Sequence, residues 1–173
     1  MGQVKILIIE NHEEYFEQTK LILDEINKKS ENKYSYFPLG KTDFFQIRSS
    51  FSTLFSPNEK ISNSSAQFLN EVVRDADLLL LEYNLSGNDH VDVLSDIDNT
   101  AIDFYQLLNL DKKALIYTRA TSINIENIKK QIVTAGLSDR VDVISKPLQP
   151  HLQYVTPEKI TFLRENIEAI LKR

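Results

Sequence analysis

Asp77-Leu78-Leu79-Leu80-Leu81-Glu82-Tyr83-Asn84-Leu85-Ser86-Gly87 is the stretch whose reading decides the fold. Its leucines run without alternation between Asp77 on one side and Asn84, Ser86 and Gly87 on the other. A short apolar run with no polar face reads as a strand buried on both sides, the signature of a parallel sheet interior. The run ends on a carboxylate, Glu82. In open α/β sheets the carboxyl ends of the strands form the edge where ligand chemistry collects.

Working outward, four more strands fit the same plan. Val4 to Ile9 is a second apolar run, ended by Glu10, Asn11 and His12. Lys33 to Leu39 reads as strand 2, closed by Pro38 and Gly40. Ala114 to Tyr117 ends on Thr118, and Val141 to Ser145 ends on Lys146-Pro147. Helical spacing fills the intervals. Asn11 or His12 opens a helix to about Lys28, and Thr100 to Leu110 reads as another. A further helix from Ser122 or Asn124 stops at Gly136, and Thr156 with Pro157 opens the last one. Five strands alternating with helices predict an α/β, doubly wound parallel sheet.

Two segments exceed a simple crossover, at residues 41–64 and 88–99. In the first, Phe44, Ile47, Phe51, Leu54 and Phe55 keep helical spacing, so an extra helix is expected between strands 2 and 3. This stripe reads as core packing or as a partner surface. Asn58 to Ser65 reads as a polar loop, followed by a helix through Phe68, Leu69, Val72 and Val73. The second segment reads as a long acidic loop after strand 3, carrying Asp89, His90, Asp92, Asp96 and Asp98.

Composition bounds the rest. The chain has 173 residues, 42% hydrophobic and 26% charged, which suits one domain over 1–173. A net charge of −5 argues against nucleic-acid binding, and the absence of cysteine excludes disulfides and thiolate metal sites. No apolar run has membrane-spanning length, the start lacks a signal-peptide pattern, and Ile6 stands where myristoylation wants Ser or Thr. A cytoplasmic protein with no membrane contact is expected.

A parallel sheet brings Glu10 and Asn11, Glu82 and Asn84, Thr118, and Lys146 to one edge. With these residues in this order, the chain resembles the receiver domain of two-component response regulators. The resemblance rests on Lys5 to Asn11, Asp77 to Gly87, Leu115 to Thr118 and Val143 to Pro147. It implies the flavodoxin-like strand order 2-1-3-4-5 and a Mg²⁺-dependent aspartyl-phosphate site. In that family an acidic pair and the strand 3 aspartate bind metal, the aspartate attacks phosphorus, and a Thr/Ser and a Lys hold the phosphoryl oxygens. A cis peptide before Pro147 is also implied.

The departures point to a degenerate member. Glu82 stands at the phosphoacceptor position, one methylene longer than aspartate, and a misplacement on the order of 1 Å costs roughly a hundredfold in rate. Glu10-Asn11 has one negative charge fewer than an acidic pair, which disfavours Mg²⁺. Arg119 replaces the small residue expected after Thr118, and Val143 replaces the switch aromatic. The expected chain is therefore a non-catalytic pseudo-receiver, a signalling module that binds a protein partner or a second copy of itself. It has no catalytic residue and no cofactor, and Glu10, Asn11, Glu82 and Asn84 are the metal candidates. An ion pair between Glu82 and Lys146 is expected, since a buried charge needs a partner. The alternative is a receiver that still accepts a phosphoryl group with Mg²⁺. A further alternative is a haloacid dehalogenase-like phosphatase, because Asp96-Ile97-Asp98-Asn99-Thr100 matches the D-x-D-x-T motif.

Overall fold

The structure, a computed structural model, describes residues 3–31, 33–85, 100–119, 122–147 and 155–173, with the backbone alone at 122 and 123. Its elements run β1 (Val4–Ile9), α1 (Glu13–Lys29), β2 (Tyr34–Phe37), α2 (Lys41–Leu54), α3 (Glu59–Arg74) and β3 (Leu78–Leu81). They continue with α4 (Ala101–Leu107), β4 (Lys113–Thr118), α5 (Ser122–Thr134), β5 (Val141–Ser145) and α6 (Pro157–Lys172). The five strands are all parallel and ordered β2-β1-β3-β4-β5, the flavodoxin-like arrangement.

The sheet separates two apolar cores by the period-two alternation of its strands. Leu7, Ile9, Leu79, Leu81 and Ile116 face a core completed by α2, α3, α4 and α5. Ile6, Ile8, Leu78, Leu80 and Leu115 face a core completed by α1 and α6. The leucine run of β3 thus feeds both layers, which is why it carries no polar face.

The extra helix α2 belongs to both cores. Phe44 stacks on Phe16 of α1, with ring centroids 4.7 Å apart and planes at 21°. Phe51 meets Phe104 of α4 edge to face at 4.6 Å and 66°. Seven residues of helix rise about 10 Å, enough to carry the stripe from one layer to the other. Phe44 and Phe51 are buried and Phe55 is partly buried against the core, so the stripe is packing and not a free partner surface.

Local signals explain most boundaries. Thr100 and Asp103 form a reciprocal capping box on α4. The Thr156 side chain accepts from Lys159 N, with Pro157 in the first turn of α6. Gly136 follows α5 with φ +69°, the left-handed conformation that favours glycine at a helix end. Two expectations are corrected. Residues 58–65 are not a loop: the Asn58 side chain accepts from Lys60 N and Ile61 N, and helix α3 begins at Glu59. Its polar residues lie outward, and buried Ser65 finds its partner in Thr53 Oγ1 of α2 at 2.7 Å. Among the described residues the cis peptide is Phe37–Pro38, not Lys146–Pro147. The acidic segment 88–99 lies outside the described residues.

Candidate functional site

Strand register assembles the site. Ile9 pairs with Leu81, Leu81 with Ile116, and Thr118 with Ser145. Glu10, Glu82 and Lys146 each follow the last residue of their strand, and Thr118 is the last residue of its own. The ladder reaches them: Glu82 N donates to Ile9 O at 2.7 Å, and Lys146 N donates to Thr118 O at 2.6 Å. Four side chains from four strands therefore stand in one row at the carboxyl edge. By alternation Glu10 and Glu82 follow Ile8 and Leu80, toward the α1 and α6 layer.

Lys146 is the centre of the cluster. Its Nζ donates to Glu82 Oε2 at 2.7 Å and also to Glu10 Oε2. The remaining carboxylate oxygens are occupied as well. Glu82 Oε1 accepts from Tyr83 N at 2.9 Å and from the Thr118 hydroxyl. Glu10 Oε1 accepts from Asn11 N at 2.9 Å and His12 N at 3.2 Å. Lys146 is 5% exposed and Glu82 3%, so the ion cluster sits out of bulk water. Such charges are tolerable only when paired and hydrogen-bonded, and each carboxylate oxygen has a donor.

Aromatic faces close the cluster. The Lys146 ammonium lies 5.1 Å from the Tyr15 ring centroid and 5.3 Å from that of Tyr117. The Arg119 guanidinium lies over the same Tyr15 ring at 4.8 Å. Ring faces attract cations, so Tyr15 holds two positive groups in place without adding a negative charge.

The electrostatics follow from two carboxylates sharing one ammonium. Burial disfavours the charged form of Lys146, but Glu10 and Glu82 more than offset it and hold its pKa above the usual lysine range. Burial raises the Glu10 pKa; Lys146 counters part of this, and the nearby Glu82 charge adds to it. Burial also pushes the Tyr117 phenol up to about 12.

Of the residues expected from sequence, Glu10, Glu82, Thr118 and Lys146 come together, and the expected Glu82–Lys146 ion pair is present. Asn11 and Asn84 join them differently: Asn11 Nδ2 donates to the Asn84 carbonyl at 2.7 Å, tying the end of β1 to the exit of β3. Asn11 Oδ1 is buried and without a hydrogen-bond partner. Val143 lies in the apolar core. His90, Asp96 and Asp98 lie outside the described residues. One participant and one pairing are not legible in the sequence. Tyr15 stands in the first turn of α1, directly after the strand end that carries Glu10, a place suited to cover that carboxylate edge. Glu10, one of the metal candidates, is also the second carboxylate partner of Lys146.

As arranged, the cluster neutralises and positions charge; it presents no free carboxylate. Among the described residues no group of three or more His, Cys, Asp or Glu is placed to hold a metal ion. No helix among them is long and apolar enough to cross a membrane. Neither a scan against protein-family models nor a search of curated proteins finds a match to this chain.

Proposed function

We propose that this chain is a non-catalytic pseudo-receiver, a protein-interaction module in which Glu82 is a fixed charge and not a phosphoacceptor. The observation that carries this reading is the occupancy of the Glu82 carboxylate: Tyr83 N and Thr118 on one oxygen, Lys146 on the other. A nucleophilic oxygen needs a free lone pair aimed at phosphorus and a reaction geometry held to a fraction of an ångström. Glu82 Oε1 instead accepts two hydrogen bonds, and Oε2 is held in the ion pair with Lys146. The incoming phosphoryl group would bring roughly −1.5 to −2 of charge to a cluster whose cation is already shared between two carboxylates.

The feature favouring the competing reading, a receiver that still takes phosphate with Mg²⁺, is the spare acceptor Asn11 Oδ1. Mg²⁺ requires near-octahedral oxygen donors, and Glu10 and Glu82 are turned to an ammonium instead. The donor set in this arrangement does not fit the ion.

Acetyl phosphate with Mg²⁺, followed by intact-mass measurement, tests the proposal. The expected result is an unchanged mass. A phosphoryl adduct mapped to Glu82 would overturn it. The phosphatase reading is tested separately with p-nitrophenyl phosphate: the expected outcome is no turnover, and turnover abolished by Asp96→Asn would contradict the non-enzymatic reading.

A further inference from the structure

The edge strand β2 offers a second, separate feature. Val4 N donates to Lys33 O at 3.1 Å, so in this register residues 33, 35 and 37 turn their main chain toward β1. Tyr34 and Tyr36 turn theirs outward. At Tyr34 the outward pair is taken by one side chain: Tyr34 N donates to Asn27 Oδ1 at 2.8 Å, and Asn27 Nδ2 donates to Tyr34 O at 2.7 Å. The Asn27 amide thus stands where a neighbouring strand would. Among the described residues nothing pairs with the outward main chain of Tyr36 in this way.

Beside this open pair lies a groove of about 410 Å³ between β2 and α3. Leu7 and Phe37 form its strand wall, and Phe68 and Val72 its helix wall. Glu71 and Asp75 stand along the helix side, and exposed Lys5 stands on the strand side. Phe37 is exposed, and Phe68 and Val72 pack against the core only in part, so the groove is apolar within and carries two carboxylates and one ammonium around it. Its volume is in the range of sites that take a bulky side chain or small ligand.

We infer that the β2–α3 groove binds an extended basic-hydrophobic peptide segment, which pairs its main chain with Tyr36 and seats an apolar side chain between Phe37 and Val72. This is strand addition: main-chain bonds give affinity, and a pocket for an alternate side chain gives selectivity. With Glu71 and Asp75 against the single Lys5 ammonium, the helix side of the rim favours lysine or arginine at positions flanking the anchor. The inference does not rest on the state of Glu82.

The probe is a fluorescein-labelled heptapeptide, Lys-Val-Lys-Phe-Lys-Val-Lys, titrated by fluorescence polarisation against the full chain. Saturable binding is expected, with amide shifts centred on β2 and α3 in a ¹⁵N–¹H spectrum. Replacing the central phenylalanine by alanine, or Val72→Glu in the protein, weakens binding by about tenfold or more. The same peptide with N-methylated backbone at its centre loses binding despite equal charge. Asn27→Ala, which frees the Tyr34 pair, strengthens it. The inference is overturned by equal affinity for the N-methylated peptide, by binding indifferent to both Asn27→Ala and Val72→Glu, or by no saturable binding to the unmodified chain. A homodimer seen in sedimentation and dissolved by Val72→Glu also overturns it, since the occupant is then a second copy.

Discussion

At the residue scale the account turns on Lys146. Removing one member of a buried ion cluster leaves the others charged and unpaired, at a cost of about 3–5 kcal/mol. Lys146→Met is therefore expected to destabilise the chain by about that amount in urea unfolding. The triple change Glu10→Gln, Glu82→Gln, Lys146→Met removes all three charges, and its loss should be smaller than that of Lys146→Met alone. A triple variant less stable than the single one would show that the cluster is a net source of stability. Much of this site was legible in the sequence, because the chemistry of a parallel-sheet edge can be read from the residue that ends each strand. The sharing of Lys146 by Glu10 was not legible. It depends on side-chain reach across β1, β3 and β5, and strand-end identity alone leaves Glu10 with a choice of partners. Tyr15 escaped for a related reason. Its spacing fits an apolar helix face, and only the tertiary position of α1 turns its ring to Lys146 and Arg119.

At the element scale the two helices α2 and α3 between β2 and β3 distinguish this sheet from a minimal fold with one helix in each of its four crossovers. The phenylalanine stripe was readable as a helix, but whether it faced inward depended on where that helix lay. Phe51 is 3% exposed and Phe45, on the same helix, is 46% exposed. Phe51→Ala should then cost about 3–5 kcal/mol, and Phe45→Ala should stay within about 0.5 kcal/mol, both read from denaturant midpoints. Equal losses would mean that α2 does not pack as described. The helical start of α3 was hidden by its composition: Ser62, Asn63, Ser64 and Ser65 are weak helix formers, and a serine-rich run suggests a loop. The Asn58 cap and the tertiary contact of Ser65 outweigh those propensities. Asn58→Ala is expected to lower stability by about 1 kcal/mol, with hydrogen exchange rising first at the α3 amides.

For the whole molecule, burying an ion cluster at the carboxyl edge makes stability depend on pH in a particular direction. Lys146 has a folded pKa above its ordinary 10.5, so its contribution is complete below that pH and lost as pH rises through the folded value. Burial of the Tyr117 phenol, raised to about 12, acts in the same sense. The Glu10 pKa is raised also, so its linkage favours folding below the ordinary 4.5 and weakens as pH rises through the folded value. Glu10 is thus no source of acid denaturation, and the steep loss belongs on the alkaline side. Urea unfolding from neutral pH upward should show falling stability above about pH 10.5, and Lys146→Met should flatten that fall. A Lys146→Met variant with the same alkaline slope as the parent would assign the loss to other groups. The most direct test of the central claim is the ¹⁵N–¹H spectrum of the whole chain, with ¹⁵N-labelled lysine side chains, titrated with Mg²⁺ and beryllofluoride. The account predicts that the Lys146 ammonium signal, held between Glu10 and Glu82, and the amides of β3, β4 and β5 do not move. Saturable displacement of that signal, with coordinated shifts from Glu82 to Thr118, would show a working phosphoacceptor and contradict it.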